Sequence, residues 1–336
     1  MNTENKMNRR DFVKTSAMAA GGAFLAGAAG ATQTAHAAAS DASKILHYNP
    51  NMEYRRLGKT GLMVSSVGLG GHSRSNPKER AQIIDRCIQA GINFIDCAWW
   101  NEAVRDAGAL RALGKKMHLL VSHGSKEPRN PEYRTAKKLM EAIDELLLKT
   151  KLDYVDVWRI TCYEPGGRHT FNTSCEIVEA LTTAKKQGKV GHIGFSTHDR
   201  RWIKFMVEYF PEVEVVCFPF TTMSKRAPKD SLFDALKKCD IGAVGIKPFA
   251  AGSLFTGDRD EDMRRARLAI RYILYATDVH PIPGMNSLDQ VDNVALAVKE
   301  RKQYDIAEFQ ELDQLNRETW ARLPRSYQWL RDWEYV

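Results

Sequence analysis

Eight times between Ser65 and Lys299 a short apolar run is followed by a longer amphipathic stretch, and this alternation constrains the chain more than any other feature. The runs lie at Ser65 to Leu69, Ile92 to Asp96, His118 to Ser122, Tyr154 to Ile160, Val190 to Phe195, Val213 to Phe218, Ala243 to Ile246 and Val279 to Ile282. The stretches lie at Lys78 to Ala90, Glu102 to Leu113, Glu132 to Lys149, Cys175 to Gln187, Arg200 to Tyr209, Ser231 to Lys238, Met263 to Ala276 and Ser287 to Lys299. Apolar runs joined through helices read as parallel strands buried on both faces. Eight such units close a barrel in about 250 residues, so the expected fold class is α/β, a TIM (β/α)₈ barrel. Tyr54 to Val64 predicts an antiparallel hairpin ahead of the first barrel strand, plugging the barrel floor. The barrel is expected over 52–300, with 301–336 forming a C-terminal helix and tail. No linker rich in Pro, Gly or Ser divides this stretch.

The first 37 residues follow different rules. Lys6, Arg9, Arg10 and Lys14 precede an Ala/Gly-rich apolar run from Ala17 to Ala31, and Ala35-His36-Ala37 supplies a small-residue cleavage site. Those are the parts of an export signal, and the paired arginines indicate the twin-arginine (Tat) route. The apolar run is shorter than the roughly 20 residues a spanning helix requires. The expectation is therefore cleavage, a periplasmic location, no stable membrane span in the mature protein, and the Tat export machinery as a partner. That route carries folded proteins, often with their cofactors in place.

Charge and cysteine usage narrow the function. The formal net charge is +8, and the signal holds four Lys/Arg against two Asp/Glu, leaving +6 on the remainder. Those basic residues are interleaved with acidic ones along the predicted helices, as on solvated faces, so nucleic-acid binding is not expected. Six cysteines stand without any Cys-x-x-Cys pair, which leaves no zinc knuckle and no iron-sulfur motif.

The segments YRRLGKTGLMVSSVGLGG (54–71), AGINFIDCA (90–98), LDYVDVW (152–158), GKVGHIGFS (188–196), IGAVGIKPFAAGSL (241–254) and PIPGMNS (281–287) follow one another in a recognisable order and spacing. In this the chain resembles the aldo-keto reductase superfamily, over roughly 52–300. The resemblance implies an oxidoreductase that moves hydride between a nicotinamide, NAD(P), and a carbonyl. In the family a Tyr acid tuned by Asp and Lys works beside an orienting His. Here the family's Asp matches Asp96, while the Tyr position falls on Asn101, the Lys on His123 and the His on Thr161. Of the nicotinamide clamp, Ser196 is kept, whereas its neighbour is Thr197, the clamp Gln falls on Cys217 and the ring-stacking residue on Ile246. Lys247 is placed to meet a phosphate. Gly284, Asn286, Gln290 and Asn293 lie in the turn and helix start that would hold the adenosine half of the cofactor.

At the expected barrel mouth stand His72, Asp96, His123, Cys162, His198 and Cys217. Asp96 and His123, ending neighbouring strands, are expected to pair as the catalytic groups, the carboxylate favouring a charged imidazole. Arg159 shares the interior alternation and needs an anionic partner, Asp96 or a ligand. Trp99, Trp100, Trp320, Trp329 and Trp333 are candidates for a pocket wall. The His/Asp/Cys set has transition-metal ligand chemistry, yet no His-x-x-x-His spacing supports a site, and no metal is expected. The leading expectation is an exported aldo-keto reductase-like oxidoreductase in which three changed catalytic positions of four tell against ordinary carbonyl reduction. The alternatives are a silent or repurposed periplasmic barrel that binds a small, anionic ligand, and a metal-assisted enzyme.

Overall fold

Period-two alternation settles which side chains fill the barrel. The computed structural model describes residues 42–331 apart from 74, 163–168, 225–230 and 301–303. The expected signal and Trp333 lie outside the described residues. Two units are distinguished. Of the first, Met1–Ile45, residues 42–45 are described, with the 3₁₀ turn Ala42–Lys44. The second, Leu46–Val336, carries everything below.

A two-stranded antiparallel hairpin, β1 (Tyr54–Arg56) and β2 (Met63–Ser65), comes first. Eight parallel strands follow: β3 (Leu69–Gly70), β4 (Phe94–Cys97), β5 (His118–Val121), β6 (Val155–Thr161), β7 (Val190–Ser196), β8 (Val215–Pro219), β9 (Gly242–Ile246) and β10 (His280–Pro281). They neighbour one another in chain order. The ends meet where Gly68 N–H donates to Pro281 O at 3.0 Å and Gly70 N–H to Pro283 O at 2.9 Å, with a parallel bridge between Gly70 and Gly284. The first barrel strand thus begins later than expected, because Ser65 pairs with Tyr54 in the hairpin.

The crossover helices are α1 (Pro77–Gln89), α2 (Trp100–Leu113), α3 (Ala136–Thr150), α4 (Phe171–Lys186), α5 (Arg200–Tyr209), α6 (Leu232–Lys238), α7 (Arg259–Ala276) and α8 (Leu288–Lys299). Local chemistry starts several of them. Asn76 accepts from the amides of Lys78 and Glu79 while Glu79 reaches back to Asn76 N–H, and Pro77 occupies the first helical position. Ser287 caps α8 through Gln290 N–H. A ninth helix, α9 (Ile306–Arg322), packs Leu312 and Leu315 against Leu268 and Ala269 of α7.

Outward-facing residues such as Ile95, Leu119, Trp158, Ile193 and Val216 join the helices in the main hydrophobic core. Inward-facing Phe94, Leu120, Val157, Val215 and Val244 form a second, smaller core, and the hairpin's Leu57 and Val64 close it from below. Burying such side chains contributes about 1.5–3 kcal/mol each. With the lower interior filled, open space remains at the strands' C-terminal ends. No helix among the described residues is long and apolar enough to cross a membrane.

Candidate active site

Above the apolar layer the next inward side chains are polar, and they form the floor of a cleft of about 730 Å³. Arg159 of β6 meets Asp96 of β4 through a two-point fork: Nε donates to Oδ1, and Nη2 to Oδ2 at 2.5 Å. Both side chains are almost fully buried. Burial alone would lower the guanidinium's pKa, but the charge of Asp96 more than offsets it and holds the pKa above the ordinary value. The two charges neutralise each other where water cannot. Asp96 is thereby committed to a cation before any ligand arrives.

The expected pairing of Asp96 with His123 does not form. β5 ends at Val121, and Ser122 continues its inward alternation, its Oγ lying 2.7 Å from Thr161 Oγ1. His123 therefore turns outward. Its Nδ1 accepts from Lys126 N–H at 3.3 Å and sits 3.1 Å from Ser125 Oγ, while Nε2 lies 3.8 Å from Glu145 Oε1 on α3. Burial pushes the imidazole pKa down; Glu145 opposes this, and Lys126 and Lys149 reinforce it. The expected rise is thus reversed in direction, because the nearest carboxylate is not Asp96 and desolvation dominates.

Sequence reasoning missed Glu127, which does the anchoring instead. Its carboxylate accepts from Ser122 Oγ at 2.6 Å, His123 N–H at 2.8 Å, Gly124 N–H at 3.0 Å and Thr161 N–H at 2.9 Å. Burial raises its pKa against the lowering effect of those donors. A single Glu in a loop carries no sequence signal that it will fold inward; only the spacing of three to five residues from Ser122, Gly124 and His123 hints at a turn. Asn101, the position to which the resemblance would assign a Tyr acid, is exposed on the first turn of α2.

The walls come from the loops after the strands. His198, after β7, is buried and stacked on Trp329 with ring centroids 4.3 Å apart. Burial, then Lys247, then Arg129 hold its pKa well below the usual histidine value, so both cations stand near it. Arg129 lies over Trp99, 5.3 Å from the ring centroid, and Lys247 over Tyr327 at 5.9 Å. Trp99 and Trp329 do line the cleft, whereas Trp100 packs under Lys149 on α3 and Trp320 lies partly exposed on α9.

Of the residues expected at a cofactor, Ser196, Lys247, Gly284 and Asn286 line this cleft. Gln290 does not; its Oε1 accepts Asn286 N–H at 2.7 Å and so shapes the wall from behind. Asn293 is packed away on α8, donating to Met263 O at 2.7 Å on α7. The donor set suits the phosphate-bearing half of a dinucleotide better than its ring. Cys217 is fully buried in the inner apolar core, Ile246 offers no aromatic face, and no Asn or Gln stands at the ends of β7 and β8 to grip a carboxamide. The nicotinamide ring therefore does not fit these residues. Among the described residues no group of three or more His, Cys, Asp and Glu is placed to hold a metal.

The Aldo/keto reductase family profile matches residues 65–267, more than half of the chain. The chain belongs to the aldo/keto reductase family. Among its relatives is an oxidoreductase, YqkF of Bacillus subtilis, 29% identical over 213 residues, covering 60% of this chain and 67% of that protein. A 6-dehydroglucose reductase of Novosphingobium aromaticivorans is 28% identical over 177 residues, covering 47% of this chain and just 56% of its own length. An aldo-keto reductase from Bacillus halodurans superposes with a TM-score of 0.63 at 21% identity, over 79% of this chain and 96% of its own, a likeness of fold.

Proposed function

We propose that this aldo/keto reductase family member is exported by the Tat route and, in the periplasm, binds a small anionic molecule in the cleft, without ordinary tetrad-driven carbonyl reduction. The observation that carries this reading is the charge of the cleft. Asp96 is the only carboxylate among the described lining residues and is already neutralised by Arg159, whereas Lys247 and Arg129 add two further cations. An apolar and aromatic surround raises the strength of such charges above their value in water. Small carboxylates and phosphates match that field.

Proton donation to a carbonyl has no family-type source here. Asn101 has no acidic proton and faces solvent, and Thr161 has no imidazole. Export is supported by the arginine pair and the cleavage-like Ala35-His36-Ala37. A second reading, in which a dinucleotide lies in the cleft, is favoured by Ser196, Lys247, Gly284 and Asn286 among the lining residues.

Two measurements test the proposal. With NADPH or NADH, simple aldehydes are expected to turn over near background, since loss of a general acid removes roughly 10²- to 10⁴-fold in rate. Titration with pyruvate, inorganic phosphate and NADP, read by tryptophan fluorescence through Trp99 and Trp329, is expected to show saturable binding that weakens at least tenfold in Lys247→Ala. Binding that ignores Lys247 and Arg129, or efficient aldehyde turnover, would overturn the reading.

A further inference from the structure

The segment leading into α2 holds a carboxylate in a fixed orientation. Its residues Ala98 and Trp99 direct their amides at Glu102 on the first turn of α2, and Oε2 accepts from both, at 2.9 and 3.2 Å. The other oxygen, Oε1, is bonded to His72 Nδ1. Glu102 is buried, whereas His72 is exposed at the rim of the cleft that Asp96 and Arg159 floor. Gly71 is what allows the contact: a Cβ there would stand 2.6 Å from Glu102 Oε2 and 2.6 Å from Asp96 O. A fixed carboxylate thus orients an imidazole, Nδ1 toward the protein. Nε2, across the ring, has no protein partner among the described residues.

Histidine-carboxylate contacts alone do not make a catalytic group in this molecule. His118 meets Asp156 at 3.0 Å and His192 meets Glu214 at 2.9 Å, both toward the N-terminal ends of their strands and away from the cleft. His72 differs in place, since functional groups of such barrels stand at the C-terminal ends. It also differs in company, because Lys247 and Arg129 line the same cavity and suit a developing anion.

We propose that His72, positioned by Glu102, is a general base that moves a proton on a small 2-oxo carboxylate bound in the cleft, a cofactor-free enolisation. The inference rests on the anion-binding reading above. In the step, the Nε2 lone pair forms an N–H bond with a proton from the carbon next to the carbonyl. The released C–H pair becomes the C=C bond, and the carbonyl π pair moves onto oxygen, where the cations of the wall meet the charge. Reversal returns a proton, exchanged with solvent, to the same carbon. Nothing is oxidised or reduced. With Nδ1 donating to Glu102, the carboxylate stabilises the imidazolium formed in the step.

The test is deuterium uptake at the C3 position of pyruvate, 2-oxobutanoate and 2-oxoglutarate in D₂O, followed by proton NMR with the purified full chain. The protein is expected to accelerate exchange of at least one of them. His72→Ala should lose about 10²- to 10⁴-fold of that acceleration, the range for a general base. Glu102→Gln should lose less, and His118→Ala nothing. A second readout needs no turnover: carbethoxylation of individual histidines by diethyl pyrocarbonate, mapped by mass spectrometry. His72 should react fastest, be shielded by the oxo acid that exchanges, and slow in Glu102→Gln, whereas His118 and His192 should be indifferent to the acid. Binding of the acids without exchange, or exchange unchanged in His72→Ala, overturns the base assignment while leaving anion binding intact. Absence of binding by all three overturns both.

Discussion

Asp96 shows how one residue's meaning depends on what stands opposite it. The bidentate pairing with Arg159 is buried on both sides, so removing one charge leaves the other stranded in a poorly solvated interior. Asp96→Asn is expected to destabilise the fold by about 3–5 kcal/mol, the range for breaking a buried pair. The double variant Asp96→Leu/Arg159→Met should recover most of that loss. Denaturant midpoints for both proteins decide the matter, and equal destabilisation would show that the pair is not the source. His280 contributes to the pH dependence of stability. It is fully buried, and burial, with Arg55 adding to it, lowers its pKa to about 4. The unfolded chain therefore binds this proton near pH 6.5 and the folded chain only near pH 4. That contribution, about 3 kcal/mol by proton linkage, is present above pH 6.5 and is lost progressively as pH falls toward 4. His280→Asn should flatten the stability profile across this window; an unchanged slope would point to His198, whose pKa is shifted the same way.

Among elements, the hairpin loop is the one whose sequence and structure agree most tightly. Gly58 has φ of +52°, and a Cβ on it would fall 2.1 Å from the backbone nitrogen of Gly242, at the start of β9. Neither the dihedral nor the contact tolerates a side chain. Gly58→Ala should lower stability by about 1–3 kcal/mol or more, as overpacking does, and Leu57→Ala by about 2–5 kcal/mol through the cavity it leaves under Phe94 and Val157. Thermal unfolding measures both. If the hairpin were a dispensable flap, neither variant would shift the midpoint. The C-terminal residues Tyr327 and Trp329, in the 3₁₀ segment Arg325–Arg331, contribute a wall of the cleft, and Leu330 is anchored in a small core with Met223, Ala250 and Leu323.

At the scale of the whole molecule, the barrel and the proposed export signal occupy separate stretches of sequence. Arg9 and Arg10 are expected to act as a receptor-read pair, so replacing both by Lys keeps the charge yet should hold the precursor in the cytoplasm. Fractionation of cells expressing the two forms tests this, and undiminished periplasmic protein would exclude the Tat assignment. The barrel itself is a scaffold whose family supports chemistry through the loops at one end, and fold membership does not decide what those loops do.

The order of strands and helices and the hairpin were legible in the chain, because periodicity two and 3.6 are local properties of a backbone. The inward direction of Arg159 and its need for an anion were legible for the same reason. What the sequence did not reveal is which anion and which neighbours. His123 turned outward because Leu120 and Ser122 hold the inward positions along β5 and its continuation, and Gln290 and Asn293 proved to support walls and helices. Glu127 and Glu102 found their partners through loops whose direction no periodic pattern specifies. Local spacing determined the barrel; the cleft was decided where loop direction and long-range contacts, such as Asp96 with Arg159 and Glu102 with His72, gave each buried carboxylate its donors.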